Sequence, residues 1–502
     1  MLYSGNSFGP KLKWKQFPWY LLLACLAFVL HGYATYPFVN QSGIFFQLLL
    51  EYVVVGYFIL FLVVRPLKHV SNAGFVVLLL LCFNFYSGIW MDMIASWLGS
   101  GSFVSRQIFW IPLLMILLGL LTYHFRRGYI MPSRLLSFCN LLFSCWILIA
   151  VVQIIDYRTG RKLLDNEALK FVQNVRRSEK VLPDIHVIVL DEYAGLVAYE
   201  RETGSTNSEF VDALRKEGFF VADSSVSNYN FTPYSVASLL RLDYLFESSI
   251  AGPVPVNYPF IFEQLSENRV FSIARELGYN VRAQSWFPTN AHQEISSTPL
   301  RKRIRSFVNA QTLLGRMWTN NMERNAEFWD VLGVAESNLM QFDSYNVELI
   351  ENLKSFKADM FSAPVFTFTH LMMPHFPFYR NANSELHPVG LLKTINRENE
   401  RYYVDYLEHT NKQILSVIHS IRQNSERPYS LLIVSDHGYR KWRTSDDLWG
   451  LYNNFFAWKS SNGEYPQFET PVSLVNSLRY LLNHELGGSW EYLPHMRQTV
   501  SY

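Results

Sequence analysis

Five long apolar segments within the first 155 residues constrain this 502-residue chain more than any other feature. They run at about 18–34, 45–64, 73–97, 109–125 and 135–155. An α-helix needs about 20 apolar residues to cross a bilayer. The fourth segment, "FWIPLLMILLGLLTYHF", is the shortest and holds no charge before Arg126. A surface helix of a soluble protein shows a polar face, and these segments show none. They predict a five-helix transmembrane bundle over residues 1–155. The first segment alone reads like a signal peptide, but four further spans follow it, so it reads as a retained anchor. Glu51 and Asp92 lie inside the apolar stretches. Charges there are costly and face a bundle interior or a cavity. Both are candidates to line a path for a polar head group, against interfacial placement or a structural hydrogen bond.

Flanking charge gives the orientation. Lys11, Lys13 and Lys15 precede the first span, Arg65 and Lys68 follow the second, and Arg126, Arg127 and Arg134 follow the fourth. The alternate loops hold only Arg106. The positive-inside rule places the basic loops in the cytoplasm. The N-terminus is then cytoplasmic, and everything after about residue 156 lies outside the cytoplasm. Up to residue 155 there are nine Lys or Arg and two acids, and after it 35 and 40. The exported part is mildly acidic, so no nucleic-acid partner is expected. Cys25, Cys82, Cys139 and Cys145 all fall in the apolar spans. The exported part therefore uses no disulfides, despite its oxidising compartment. It has no thiolate nucleophile and no cysteine zinc site.

Residues 156–183 are polar and read as a juxtamembrane linker. From 184 to 502, apolar β-rich runs alternate with helical patterns. "DIHVIVL", "APVFTFTH" and "YSLLIV" read as strands, and "NRENERYYVDYLEHTNKQILSVIHSIRQ" reads as a long helix. The strands lack polar alternation, as expected when both faces are buried. The fold class is α/β with a mostly parallel sheet. There is no G-x-x-x-x-G-K-[ST], no G-x-S-x-G and no dinucleotide fingerprint, which argues against NTPase, hydrolase-elbow and Rossmann chemistry.

Three strands end in polar clusters: Asp191–Glu192, His370 through His375, and Asp436–His437. Open α/β sheets bind ligands at the carboxyl ends of their strands. Asp and His with a hydroxyl suit one divalent cation, Zn²⁺ or Mn²⁺. Simpler readings stand beside this one. Asp191 is also a cap or turn residue, "SDHG" also a turn, and His375 also a packed loop histidine. In "NYNFTPYSVASLL", Thr232 reads as an N-cap ahead of Pro233 at the first helical position. A helix start also offers free N–H groups and a positive dipole end to an anion. A hydroxyl there is placed to attack phosphorus if a metal lowers its pKa.

Taken together, "HVIVLDEY", "SNYNFTPYSVASLL", "ENRVFSIARELGYNV", "HLMMPHFPF" and "VSDHG", in this order over about 185–440, resemble the alkaline phosphatase superfamily. The resemblance is to the branch of sulfatases and membrane-anchored phosphoglycerol and phosphoethanolamine transferases. The five-span unit ahead of it resembles the lipoteichoic-acid synthase architecture. The resemblance implies that Asp191, Asp436 and His437 are metal ligands, with Glu192 an alternative ligand to Asp191. It implies that Thr232 is the nucleophile and also touches the metal. His375 matches a histidine that binds substrate or assists the leaving group, and Arg440 matches a phosphate contact. Sulfatases mature a Cys or Ser in a C/S-x-P-x-R context, whereas here Thr232-Pro233-Tyr234-Ser235 stands. The expected function is metal-dependent transfer of a phospho-head group from a phospholipid donor to a glycan or lipid acceptor through a phospho-threonine. A sulfatase-like ester hydrolase and a non-catalytic lipid sensor are the alternatives.

Overall fold

A computed structural model describes residues 17–35, 42–99, 102–159, 166–177, 181–247, 252–287, 289, 293–294, 308, 311–317, 339–442 and 449–501. Parts of the 156–183 linker, residues 160–165 and 178–180, lie outside the described residues. The chain forms two compact units. One comprises Met1–Arg161 and Arg301–Glu327, and the other Lys162–Leu300 and Phe328–Tyr502. The sequence reading put everything from 184 onward in one domain. Of 301–327, the described residues 308 and 311–317 group instead with the N-terminal helices.

The first unit holds α1 (Trp19–Thr35), α2 (Ser42–Leu67), α3 (Val70–Leu98), α4 (Gln107–Arg126) and α5 (Ser133–Thr159). An α-helix pairs the N–H and C=O groups of its interior within its own segment, as a hydrocarbon environment demands. Four of the five, α2 to α5, are long and apolar enough to span a bilayer, and α1 is apolar but shorter, at 17 residues. Phe46, Phe58, Phe61, Leu141 and Leu148 are exposed on their outer faces. Inside, Phe28 stacks on Phe85 with ring centroids 4.2 Å apart. Asp92 on α3 is not a bare charge. Arg316 grips it with two bonds, Nη1 to Oδ1 at 2.9 Å and Nη2 to Oδ2 at 2.6 Å. The same short stretch is fixed to α3 twice more. Gly88 N donates to Gln311 O at 3.0 Å, and Leu314 N donates to Asn84 Oδ1 at 3.0 Å.

The second unit is built on a seven-stranded sheet. Its strands are β1 (Asp184–Asp191), β2 (Phe220–Val221), β3 (Asn280–Gln284), β4 (Gln293–Glu294), β5 (Val365–Pro374), β6 (Tyr429–Ser435) and β7 (Phe456–Lys459). The order across the sheet is β2-β7-β6-β1-β5-β3-β4. Every residue of β1 and β5 is buried, which explains the unbroken apolar runs at the centre. The pairs β1–β5, β1–β6 and β5–β3 are parallel, and β7 runs antiparallel to β6. The flanking helices include α6 (Thr232–Arg241), α7 (Gln341–Ser355) and α8 (Glu400–Asn424). In register, Val189 faces His370 on one side and Val434 on the other, and Leu190 faces Ser435. Asp191, His370 and Asp436 therefore arrive at one edge.

The opposite edge is pinned by Asp184. It is fully buried and accepts from Arg427 Nε at 3.1 Å and Nη2 at 3.0 Å. It also accepts from Val365 N at 2.8 Å. One carboxylate thus joins the starts of β1 and β5 to Arg427, two residues ahead of β6. Removing it leaves the Val365 N–H without a partner and the Arg427 charge without a counter-ion, while Arg427, 29% exposed, keeps the Phe361 and Ala358 carbonyls and recovers some water. Asp184→Ala should cost about 3 kcal/mol, read from guanidinium unfolding of the full chain in detergent by tryptophan fluorescence. A loss within a few tenths would show that the pair adds nothing.

Candidate active site

Three chain turns build the site. The first is the exit from β1. Asp191 ends the strand, and Glu192 turns away with a positive φ of 64°. That region is sparsely used by non-glycine residues and is tolerated where the surroundings fix it. Here Tyr403 OH donates to Glu192 O at 2.9 Å, and Glu192 N donates to Asp436 Oδ1 at 2.9 Å. The turn sends the Asp191 and Glu192 carboxylates into the same site. Both are 1% exposed.

The second turn follows β6. His437 N also donates to Asp436 Oδ1, at 2.8 Å. The next residue must be glycine, because a Cβ at Gly438 would collide with Gly450 O. The His437 ring is fixed by Nδ1 donating to Gly438 O at 2.8 Å. Its other nitrogen, Nε2, therefore turns a lone pair inward. The third element is α6. Phe231 occupies the N-cap position, without a side-chain cap. Thr232 is the first residue of the helix rather than its cap, so its hydroxyl is free for the site. Oγ1 lies 3.2 Å from His437 Nε2, 3.3 Å from Arg440 Nη2, and 3.5 Å from both oxygens of Asp191.

His375 and Arg440 complete the residues expected from the sequence, and all seven meet in one place. Arg440 N donates to Glu192 Oε1 at 3.0 Å, and its Nη2 donates to His437 Nε2 at 2.7 Å. His375 Nδ1 donates to Phe376 O at 2.5 Å. Its Nε2 accepts from Arg397 Nη2 at 3.3 Å and lies 3.7 Å from Glu192 Oε2. Sequence reasoning missed Arg397, which follows His375 by 22 residues and whose side chain also lies over the Phe376 ring. It also left His370 without a role. The His370 ring is fully buried, stacks on Phe287, and sets Nε2 3.5 Å from Asp191 Oδ2. Only the parallel register of β1 and β5 reveals that neighbour.

The donor set fits a divalent cation. Asp436 Oδ2 is buried without a hydrogen-bond partner, yet His437 Nε2 lies only 3.2 Å away. Asp436 Oδ2 thus faces a nitrogen that already accepts from Arg440 Nη2 at 2.7 Å, so the pair crowds ligand atoms toward one point. Ligand atoms of Asp191, Asp436 and His437 fall within 4.8 Å of one another, as do those of Asp191, Glu192 and His375. Carboxylate oxygens with imidazole are what Zn²⁺ and Mn²⁺ accept. The protonation pattern agrees. Burial raises the Asp191 carboxyl, but His375, His370 and His437 outweigh it and hold the group below the usual carboxylate range. Burial and then the neighbouring Asp191 charge push Asp436 well above that range. Two like charges this close keep one proton between them. Burial, then Arg440, lowers His437 to about 3, which leaves its lone pair available. Burial also lowers His375, against the pull of Asp191 and Glu192.

Metal uptake should therefore expel the Asp436 proton, and affinity should rise with pH. Calorimetric titration of the chelator-stripped chain with Mn²⁺ or Zn²⁺, in two buffers of different ionisation heat, should show proton release. Identical heats in both buffers would mean that the carboxylates were already ionised.

The family model described as Sulfatase matches residues 185–481. Among solved structures, the C-terminal periplasmic domain of EcEptC from Escherichia coli is 14% identical. That match covers 62% of this chain and 84% of the other, with a TM-score of 0.37. Lipooligosaccharide phosphoethanolamine transferase A from Neisseria meningitidis, an integral membrane protein, is 13% identical. It covers 93% of this chain and 95% of the other, with a TM-score of 0.36. The putative sulfatase yidJ from Bacteroides fragilis is 14% identical over 61% of this chain and 74% of the other, with a TM-score of 0.37. No curated protein matches the chain.

Proposed function

The chain belongs to the sulfatase family, and from that premise we propose that it is a membrane-anchored phosphotransferase using Thr232 as nucleophile. It takes a phospho-head group from a phospholipid donor and passes it to a glycan or lipid acceptor. One observation carries this reading: a plain threonine hydroxyl heads a helix at the meeting point of Asp191, His437 and Arg440. A threonine cannot mature into the formylglycine of a sulfatase, but it can form a phosphate ester.

Asp191, Asp436 and His437 would hold one ion, Zn²⁺ or Mn²⁺, with Glu192 as a further oxygen donor. When bound, the cation lowers the pKa of the Thr232 hydroxyl and offsets charge on the phosphoryl oxygens. The positive dipole end of α6 and the Arg440 guanidinium orient the phosphate. Thr232 Oγ, already deprotonated as the alkoxide, attacks phosphorus, and the bond from phosphorus to the diacylglycerol oxygen breaks. Protonated His375 gives its Nε2 proton to that oxygen. His375 is then neutral, the state its hydrogen bonds describe. It removes the proton from the acceptor hydroxyl, which attacks phosphorus and frees Thr232 as it began. Over one cycle His375 carries one proton from acceptor to diacylglycerol. Flanking charges favour an inner-membrane protein with a cytoplasmic N-terminus and the catalytic domain on the periplasmic side. An anchor beside the donor lipid raises its effective concentration.

Incubation of the full chain in detergent with phosphatidylethanolamine or phosphatidylglycerol and Mn²⁺ or Zn²⁺ should give a mass adduct on Thr232, and its mass identifies the head group. Thr232→Ala should give none and should transfer at background rate. Full transfer by that variant would overturn the nucleophile. Free head group accumulating without any acceptor product would make the enzyme a hydrolase.

A further inference from the structure

Away from the Thr232 site, the second unit has a pocket of about 230 Å³ between the sheet and the end of α7. Arg282 and Gln284 on β3 and Thr369 on β5 form its floor, and Phe356, Lys357 and Phe361 form its wall. Arg282 and Gln284 are two residues apart on one strand, so both side chains lie on the same face of the sheet. Their register partners, Thr367 and Thr369, also line the pocket.

The charge here is uncompensated. The Arg282 guanidinium sits over Phe356 at 5.0 Å and Phe361 at 5.3 Å. Its Nε is buried without a hydrogen-bond partner. Among the described residues it has no carboxylate partner. Burial is what lowers its pKa, with no acid pulling it back. Lys357 adds a second positive charge, and no Asp or Glu lines the pocket. Buried or half-buried arginines are ordinarily paired, because desolvating an unpaired charge is costly. A second orphan lies deeper. Gln284 is 6% exposed, and its amide oxygen is buried without a partner. That oxygen calls for a donor, roughly 6.6 Å along the strand from Arg282.

We propose that this pocket binds a small hydroxylated organic anion, with its acidic group on Arg282 and Lys357 and its hydroxyl on Gln284. The aromatic rings accept an apolar body between the two ends. The volume is below the roughly 300–1,000 Å³ of sites for drug-sized molecules, so the ligand is small. 4-Hydroxybenzoate has this form, with a carboxylate and a hydroxyl at opposite ends of a flat ring.

The test is calorimetric titration of the full chain in detergent, stripped of metal so that the Thr232 site offers no cation to a carboxylate. 4-Hydroxybenzoate should bind at one saturable site. Arg282→Gln should weaken it about tenfold or more, as expected for a lost charge-assisted hydrogen bond. Lys357→Ala should weaken it less, and benzoate, lacking the hydroxyl, should bind more weakly than 4-hydroxybenzoate. Thermal midpoints of each variant separate lost binding from lost folding. Lys357 is exposed, so its variant keeps the test open if Arg282→Gln does not fold. No saturable binding, or unchanged affinity in both variants, would overturn the site. Sulfate displacing the probe at equal concentration would overturn the organic ligand and leave a bare anion site.

Discussion

Three carboxylates share one nearly dry space at the carboxyl edge of the sheet, and the rest of the second unit is arranged around that repulsion. Asp191, Glu192 and Asp436 are each no more than 1% exposed. In water their mutual repulsion would be small, but in a low-dielectric interior it is several times larger. Each has its own offset. Asp436 is neutralised by a shared proton and two backbone N–H groups. Glu192 is held ionised, against burial, by Arg440 and nearby histidines. Asp191 draws on three imidazoles. A divalent cation answers the same strain more completely, which is why an arrangement costly on its own is a good receptor. The left-handed turn at Glu192 and the glycine after His437 serve this convergence. They bring together groups that an unstrained chain would keep apart.

Much of that convergence was legible in the sequence because it depends on local grammar. A buried strand that stops at an acid, as in "VIVLDEY", or at "SDHG", announces a sheet edge with something to hold. The Thr-Pro pair announced a helix start, but not its phase. Read locally, Thr232 was the cap, whereas Phe231 takes that position and Thr232 is released inward. His370 and Arg397 were illegible for a different reason. Their roles arise from parallel register and from a loop closing across 22 residues, and neither leaves a pattern in the nearby chain. The split of the chain left only a charge signal: 301–327 opens on "RKRIR" and holds six Lys or Arg against two acids, within an otherwise acidic part.

His375 shows why geometry refines a role that sequence only names. A histidine near a leaving group reads as an acid. With Nδ1 committed to Phe376 O and Nε2 accepting from Arg397, the resting ring is a base. In the proposed transfer the two roles would alternate between half-reactions, and the neutral ring seen here is the form suited to act as base.

The return of the chain from the second unit to the first has a consequence for how such a protein can be divided. A chain that crosses once between two bodies can be cut there, and each half keeps its contacts. This one does not: the described residues 308 and 311–317 belong to the first unit, although they lie in the sequence between parts of the second. A soluble fragment starting after α5 would carry a segment whose partners stayed behind. Val308 would lose Gly32, Gln311 would lose the N–H of Gly88, and Arg316 would lose Asp92. Evolution faces the same geometry: the helical anchor cannot be exchanged for another by recombination at one point, because part of its packing is encoded within the enzyme.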